Sequence, residues 1–337
     1  MSKKVFVTGG AGYIGSHTCV ELLKSNHSIM VYDNLSNGSL EALKRVETLT
    51  NKKLKFVEGD ICNFDFLEQS ICEFQPDIVL HFAGLKAVGE SVTDPLRYYE
   101  VNLKGSLNIL GAMSLTKCNK LVFSSSATVY GDKNIPPYKE TGQLQPVSPY
   151  GRTKLIFEQI LQDWVKSDKK HRAIALRYFN PVGAHESGMI GENPQDKPDN
   201  LMPFLAQVAC KKRQYLSIFG IDYPTKDGTG VRDFIHVTDL ASGHAKAIDK
   251  IERLKRFHIL NLGTGKGTTV LELIKSFEIS TGIKVPLRFV ARRAGDVAIS
   301  LADPTEAENL LNFKCEKTIQ DMCVDEWNWQ TKNPNGY

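Results

Sequence analysis

Short apolar runs separated by helix-length stretches set the rhythm of the first half of the chain. Runs rich in β-branched and aromatic residues occur at Val5 to Thr8, Ile29 to Asp33, Lys55 to Glu58, Ile78 to Phe82, Leu121 to Ser125 and Ala173 to Tyr178. This alternation predicts a parallel sheet covered by helices on both faces. Two of the runs, Ile78-Val79-Leu80-His81-Phe82 and Leu121-Val122-Phe123, are almost continuously apolar, as strands buried on both sides are. The rhythm breaks after Asn180. From Pro181 to Gly230 the chain is rich in Gly, Pro, Asn and Asp, which predicts irregular loops over a site. Two short strands, Phe234 to Val237 and Phe257 to Leu262, and several helices follow. The expected fold class is therefore α/β, a doubly wound parallel sheet over residues 1–180 with a smaller α/β lobe over 181–337. Part of 233–262 is expected to return to the main sheet. No internal repeat or low-complexity segment interrupts this plan.

Composition bounds the rest. A chain of 337 residues, 42% hydrophobic and 24% charged, is long enough for one large or two moderate domains of an ordinary soluble protein. Seven scattered cysteines with no short paired spacing argue against a disulfide framework and against zinc, and fit a reducing cytoplasm. Met1-Ser2-Lys3-Lys4 runs directly into a strand-like segment, so no secretory leader is expected. No apolar stretch is long enough to cross a bilayer, so no membrane partner is expected. Net charge is only +4, and the basic clusters Lys169-Lys170-His171-Arg172 and Lys211-Lys212-Arg213 lack interleaved aromatics. They read as solvated helix ends rather than a nucleic-acid surface. His81 and His236 lie in apolar strand-like runs and read as structural, and no group of side chains has metal-ligand spacing.

The first strand ends at Thr8 and is followed by Gly9-Gly10-Ala11-Gly12-Tyr13-Ile14-Gly15 and an apolar helical pattern. Strand, glycine-rich turn and helix together form the Rossmann cradle, in which the backbone approaches a pyrophosphate seated on the helix N-terminus. Asp33 closes the second strand, where its carboxylate can accept hydrogen bonds from an adenosine ribose and would repel a 2′-phosphate. NAD is therefore expected rather than NADP. Asp60-Ile61 and Phe82-Ala83-Gly84-Leu85-Lys86 lie beyond other strand ends, where open sheets bind ligands.

Tyr150 and Lys154 lie four residues apart in Ser148-Pro149-Tyr150-Gly151-Arg152-Thr153-Lys154 and share a face of any helix there. Serine followed by proline is a helix start, which puts Tyr150 in the first turn. An unperturbed phenol titrates near about 10; an adjacent cation and the helix dipole both favour its anion, so the pair is a candidate base.

With these residues in view the chain resembles the extended short-chain dehydrogenase/reductases and, within them, the UDP-galactose 4-epimerases. The resemblance is nearly full length. It rests on the Gly9 to Gly15 turn, the segments His81 to Ser91, Ser124 to Gly131, Arg177 to Gly183, Asn200 to Pro203 and Gly230 to Asp233, and the Tyr150–Lys154 pair. It implies that Ser126, Tyr150 and Lys154 form the catalytic group. It implies NAD held by Gly9, Gly12, Tyr13, Ile14, Gly15, Asp33, Asn34, Asn37, Asp60, Ile61, Phe82, Ala83, Gly84, Lys86, Ser124, Tyr150, Lys154 and Tyr178. The UDP-sugar would be held by Lys86, Ser126, Tyr150, Phe179, Asn180, Asn200, Leu201, Ser217, Ile218, Phe219, Arg232, Arg293, Asp296 and Ser300. A homodimer packed through two helices is also implied.

Departures from neighbouring activities sharpen the expectation. Nucleotide-sugar 4,6-dehydratases carry an Asp-Glu pair where this chain has Ala127-Thr128, and UDP-glucuronate decarboxylases carry a glutamate at Thr128; neither residue here exchanges protons at neutral pH. UDP-glucuronate 4-epimerisation is the nearest enzymatic rival. A non-catalytic NAD-bound scaffold is the rival of another class, disfavoured because a binding module has no use for an activated phenol. Ser300 stands where family members have either tyrosine or a small residue, so room for a 2-acetamido group, hence UDP-GlcNAc and UDP-GalNAc as additional substrates, is expected.

Overall fold

A computed structural model describes residues 2–194, 200–293 and 296–337. In chain order its elements are β1 (Lys4–Thr8), α1 (Tyr13–Lys24), β2 (Ser28–Asp33), α2 (Leu40–Thr50), β3 (Lys55–Glu58), α3 (Phe64–Phe74) and β4 (Ile78–His81). A broken helical stretch follows, made of α4 (Val88–Thr93), α5 (Pro95–Tyr99), a π-helical turn at Glu100–Lys104 and α6 (Gly105–Ser114). Then come β5 (Lys120–Ser126), α7 (Pro149–Ser167), β6 (Arg172–Tyr178), β7 (Asn180–Val182), α8 (Leu201–Ala209), β8 (Leu216–Phe219) and β9 (Val231–His236). The chain continues through α9 (Val237–Lys250), β10 (Phe257–Leu262), β11 (Gly267–Thr269), α10 (Val270–Thr281), β12 (Leu287–Val290), β13 (Ile299–Ser300), α11 (Thr305–Leu311) and α12 (Ile319–Lys332).

The main sheet is seven-stranded in the order β10-β6-β5-β4-β1-β2-β3, and its pairs are parallel. Successive residues of β1 point to opposite faces, and both faces are apolar. Val5 and Val7 join one buried cluster with Leu22, Val31 and Leu240, whereas Phe6 joins another with Leu67, Val79 and Phe157. Burial on both sides explains why these strands read as unbroken apolar runs. The strand order reverses between β1 and β4, so a crevice opens beyond Thr8 and His81, the position where doubly wound sheets bind ligands.

The region after Asn180 differs from the irregular loop expected there. It contains a helix, α8, and a strand, β8, both packed into a third core through Met202, Leu205, Val208 and Ile218. Glycine and proline dominated the local composition, but tertiary burial of an i, i+3 apolar row formed the helix. Strand β9 begins three residues earlier than the expected Phe234 start and belongs to a small sheet with β7, β11 and β13, while β8 pairs with β12. Helix α9 packs on α1, and β10 pairs with β6 at the edge of the main sheet.

Candidate active site

Helix α7 begins at the carboxyl end of the main sheet. Ser148 is its N-cap, its hydroxyl accepting from the Gly151 amide at 3.1 Å, and Pro149 occupies the first turn. Tyr150 and Lys154 are both buried on the helix face turned toward β5. The Lys154 ammonium donates to the Ser124 carbonyl at 2.9 Å, lies 4.8 Å from the Phe123 ring centroid and 5.7 Å from that of Tyr150. Burial lowers Lys154 to about 8, an effect the Glu158 carboxylate opposes. Burial raises the Tyr150 phenol above its ordinary value, and the Ser126 hydroxyl opposes that shift. The spacing alone predicts that the cation favours the anion. In the chain alone desolvation outweighs it, because each charged form loses more solvation than its neighbours return.

Ser126 ends β5, and its Oγ accepts from the Thr128 hydroxyl at 3.0 Å and from the Thr128 amide at 3.2 Å. Beside it the Ser124 hydroxyl hydrogen-bonds the Tyr178 phenol, whose pKa is pushed up by burial and by nearby Tyr150.

The crevice beside this group has the features a dinucleotide requires. Gly9 has φ +74°, and a Cβ there would come within 2.5 Å of the Ala83 amide nitrogen; one on Gly15 would come within 2.3 Å of the Gly9 carbonyl. A Cβ on Gly12 meets only the Gly9 carbonyl at 3.4 Å, so the space before α1 is open, and no side chain caps that helix. A helix N-terminus left open and approached by backbone alone suits a pyrophosphate. Asp33 ends β2 and accepts from the Ala11 amide at 2.9 Å and the Leu35 amide at 2.9 Å, one bond to each oxygen, so each oxygen keeps acceptor capacity for ribose. Asn34 donates to Asp60 at 2.9 Å, Ile61 is buried beneath, and Asn37 lies exposed in the loop before α2. Tyr13 donates to the Gly183 carbonyl at 2.5 Å, while Ile14 packs inward against the first core. Phe82 and Ala83 extend from β4 through amide bonds to the Thr8 carbonyl, and Gly84 turns the chain with φ +152°. The residues present fit NAD.

Across the crevice, Phe179 is buried near Tyr138, and Asn180 pairs in register with Phe234. Arg232 on β9 lies 4.0 Å from Asp296, which also accepts from Arg293 Nε at 3.0 Å. The Arg293 guanidinium lies 4.8 Å from the ring centroid of Phe219. Residues 294 and 295, between Arg293 and Asp296, lie outside the described residues. Ser300 pairs directly with Arg232 between parallel strands. Ser217 and Phe219 flank Ile218, whose side chain is buried in the lobe core, so only its backbone is available to a ligand. Leu201 opens α8 just after Asn200. Lys86, expected to face both ligands, is paired with Glu192 at 2.7 Å, as is the Asn200 amide at 2.7 Å.

Several supporting residues escaped sequence reasoning. Glu158 continues the Tyr150–Lys154 row by one more helical turn, a spacing that could have revealed it; it is bound by Arg177 through two bonds, at 2.9 and 2.6 Å, and by Ser125 at 2.5 Å. Asn102 bridges the Leu85 backbone and Thr153, partners too distant in sequence to be linked by pattern. Glu192 sits in a glycine-rich stretch with no signal of its own. The two suspect histidines are structural: His81 bridges Thr8 and Ser106, and His236 contacts Asp325.

Comparison with known proteins agrees with this geometry. The NAD dependent epimerase/dehydratase family matches residues 5–263. The chain is 53% identical to the UDP-glucose 4-epimerase of Bacillus subtilis (strain 168), over 99% of this chain and 98% of that protein. A UDP-glucose 4-epimerase from Stenotrophomonas maltophila, solved with bound NAD and formylated UDP-arabinopyranose, superimposes with a TM-score of 0.96 at 48% identity, covering 98% of this chain and 99% of that one. The Bifidobacterium longum UDP-glucose 4-epimerase, solved with NAD+ and UDP, gives a TM-score of 0.95 at 46% identity, covering 99% and 100%. With its glycine cradle, its Tyr150–Lys154 pair and this full-length similarity, the chain belongs to the NAD dependent epimerase/dehydratase family and, within it, to the UDP-glucose 4-epimerases.

Proposed function

We propose that this NAD-dependent epimerase interconverts UDP-galactose and UDP-glucose at carbon 4 with Tyr150 as its acid/base. The observation that carries the reading is the convergence of Tyr150, Lys154 and the Ser126 hydroxyl beside the glycine cradle, with no carboxyl group at Ala127 or Thr128. NAD, held by the glycine cradle and Asp33, would supply a reversible hydride acceptor at carbon 4 of the sugar. Tyr150 takes the proton of the 4-hydroxyl and gives it back to the other epimer. Ser126 accepts from Thr128, which leaves its own proton to donate, to Tyr150 in the chain alone and to the sugar oxygen once substrate is bound. Lys154 supplies the cation that favours the phenolate, and Asp33 holds the adenosine ribose and repels a 2′-phosphate. Arg232 and Arg293 bind the diphosphate, since guanidinium forks match phosphate oxygens, and Asp296 orients both.

The small Ser300 beside Arg232 supports turnover of the N-acetylated hexoses as well; Ser300→Tyr should lower kcat/KM for UDP-GalNAc far more than for UDP-galactose, and an equal effect on both sugars would remove this extension. A homodimer is supported by the exposed Val88, Val92, Leu96 and Leu107 on the helical stretch α4 to α6, an apolar face suited to a second copy. A cytoplasmic location is supported by the seven unpaired cysteines. No described helix is long and apolar enough to cross a membrane.

Incubating the purified protein with UDP-galactose, without added cofactor, and identifying the product tests the reading directly. UDP-glucose is the expected product. Tyr150→Phe should retain NAD and lose about 10²-fold or more in kcat. No epimer even with NAD supplied, or turnover of UDP-glucuronate alone, would overturn the proposal.

A further inference from the structure

The described residues that follow β7, 183–194, have little regular structure, yet the backbone from Glu186 to Glu192 is held at most steps. The carbonyls of Glu186, Ser187 and Gly188 accept from Asn328 at 2.7 Å, Lys332 at 2.9 Å and Asn333 at 2.8 Å. That of Met189 accepts from Arg45 at 3.0 Å; the Gly191 amide donates to the Tyr337 phenol at 3.1 Å, and the Glu192 carbonyl accepts from Trp329 at 3.1 Å. All but one of these partners come from α12 and the residues that follow it. The ladder ends at Glu192, whose side chain is only 7% exposed.

One oxygen of the Glu192 carboxylate accepts from both the Lys86 ammonium and the Asn200 amide, each at 2.7 Å. Lys86 follows β4 on the cofactor side of the crevice, whereas Asn200 precedes α8 on the nucleotide-sugar side. A second buried carboxyl, Glu326 on α12, is raised to about 8 by its burial and by the charge of Glu192. At neutral pH Glu326 is therefore protonated and puts no second charge beside Glu192.

We infer that Glu192 is a positioning residue that holds Lys86 and Asn200 in place across the two sides of the crevice for binding of a nucleoside diphosphate. The inference rests on the reading of those two side chains as ligand-binding groups given above. Glu192 itself does not touch the diphosphate, whose charge it would repel. Its contribution is to keep two flexible donors from sampling conformations that binding would have to exclude.

The test is calorimetric titration of UDP into wild type, Glu192→Ala and Glu192→Gln, with KM and kcat for UDP-galactose and Tm measured alongside. Glu192→Ala should weaken UDP about tenfold and raise KM by a similar factor, with kcat reduced by less than about threefold. Glu192→Gln keeps an acceptor oxygen at the same place and should bind UDP within about threefold of wild type. Trp329→Phe deletes the bond to the Glu192 carbonyl together with part of a buried ring packed on Tyr337; it should weaken UDP in the same direction by less, and it replaces the alanine variant if that one does not fold. Tighter or unchanged UDP binding in Glu192→Ala would mean that the carboxylate competes with the diphosphate or is idle, and would overturn the inference. So would a glutamine variant as weak as alanine. A wild type that binds UDP but does not convert UDP-galactose would sink the functional reading instead, and the UDP titration alone would then judge Glu192.

Discussion

The Thr128 hydroxyl donates to Ser126 Oγ at 3.0 Å, at the point where β5 gives way to the turn beneath Tyr150. Thr128 is thus a donor that orients a serine, not an acid. Thr128→Val should therefore lower kcat about three- to tenfold, the worth of one neutral hydrogen bond, with little change in KM. Thr128→Ser should restore most of the rate. Steady-state kinetics with UDP-galactose decide the matter, and a valine variant at full rate would remove Thr128 from the site.

Lys154 illustrates a conflict between activity and stability. Its pKa falls from 10.5 in the unfolded chain to about 8 in the fold, so below about 8 the native state bears the full cost of a buried ammonium. Between about 8 and 10.5 the unfolded chain binds more protons, and stability rises with pH across that window. Lys154→Met should be nearly inactive yet roughly 1–3 kcal/mol more stable than wild type at pH 7, the gap closing toward pH 10.5. Urea midpoints at pH 7 and pH 10 read both the sign and the closure.

The Arg177–Glu158 pair is almost fully excluded from solvent and lies one helical turn beyond Lys154. Arg177→Met leaves the Glu158 carboxylate buried without its partner and should cost about 3–5 kcal/mol in denaturant unfolding. Glu158→Gln removes the negative charge that opposes the fall of the Lys154 pKa. The ammonium should then deprotonate at a lower pH, moving the alkaline limb of the kcat profile downward.

Three buried histidines make stability sensitive to acid. Burial lowers His17 and His81 to about 3 and His244 to about 4, with the Lys154 charge also acting on His81. All three are neutral in the fold near pH 6.5 and take up protons in the unfolded chain below their ordinary value of 6.5. Their contribution to stability is present above that value and is lost as pH falls toward 3–4, at up to about 1.4 kcal/mol per pH unit for each. Urea midpoints from pH 7 to pH 5 should fall accordingly, and His244→Asn should flatten the slope by about one proton.

Much of the site was legible because its signals are local. The turn from Gly9 to Gly15 demands glycines wherever backbone must approach backbone, and Ser148-Pro149 starts a helix with its own cap and constrained φ. The boundaries of α8 and β8 were not legible. Glycine and proline nearby masked an apolar row that only the third core rewards with burial. The desolvation of Tyr150 in the chain alone was not legible for a related reason: spacing reveals that Lys154 shares its face, whereas desolvation depends on everything packed around the pair.

By itself the sequence determined the doubly wound topology, the glycine cradle with Asp33 at its second strand, and the Tyr150–Lys154 row, because each depends on periodicity or on neighbours within one element. The tertiary structure alone decided which groups share a charge or a bond across the crevice. It joins Glu192 to Lys86 and Asn200, Arg232 to Asp296 and Ser300, and Asn102 to Thr153. Those contacts link residues far apart in the chain, and hydrogen bonds and burial act through space, so no local pattern announces them.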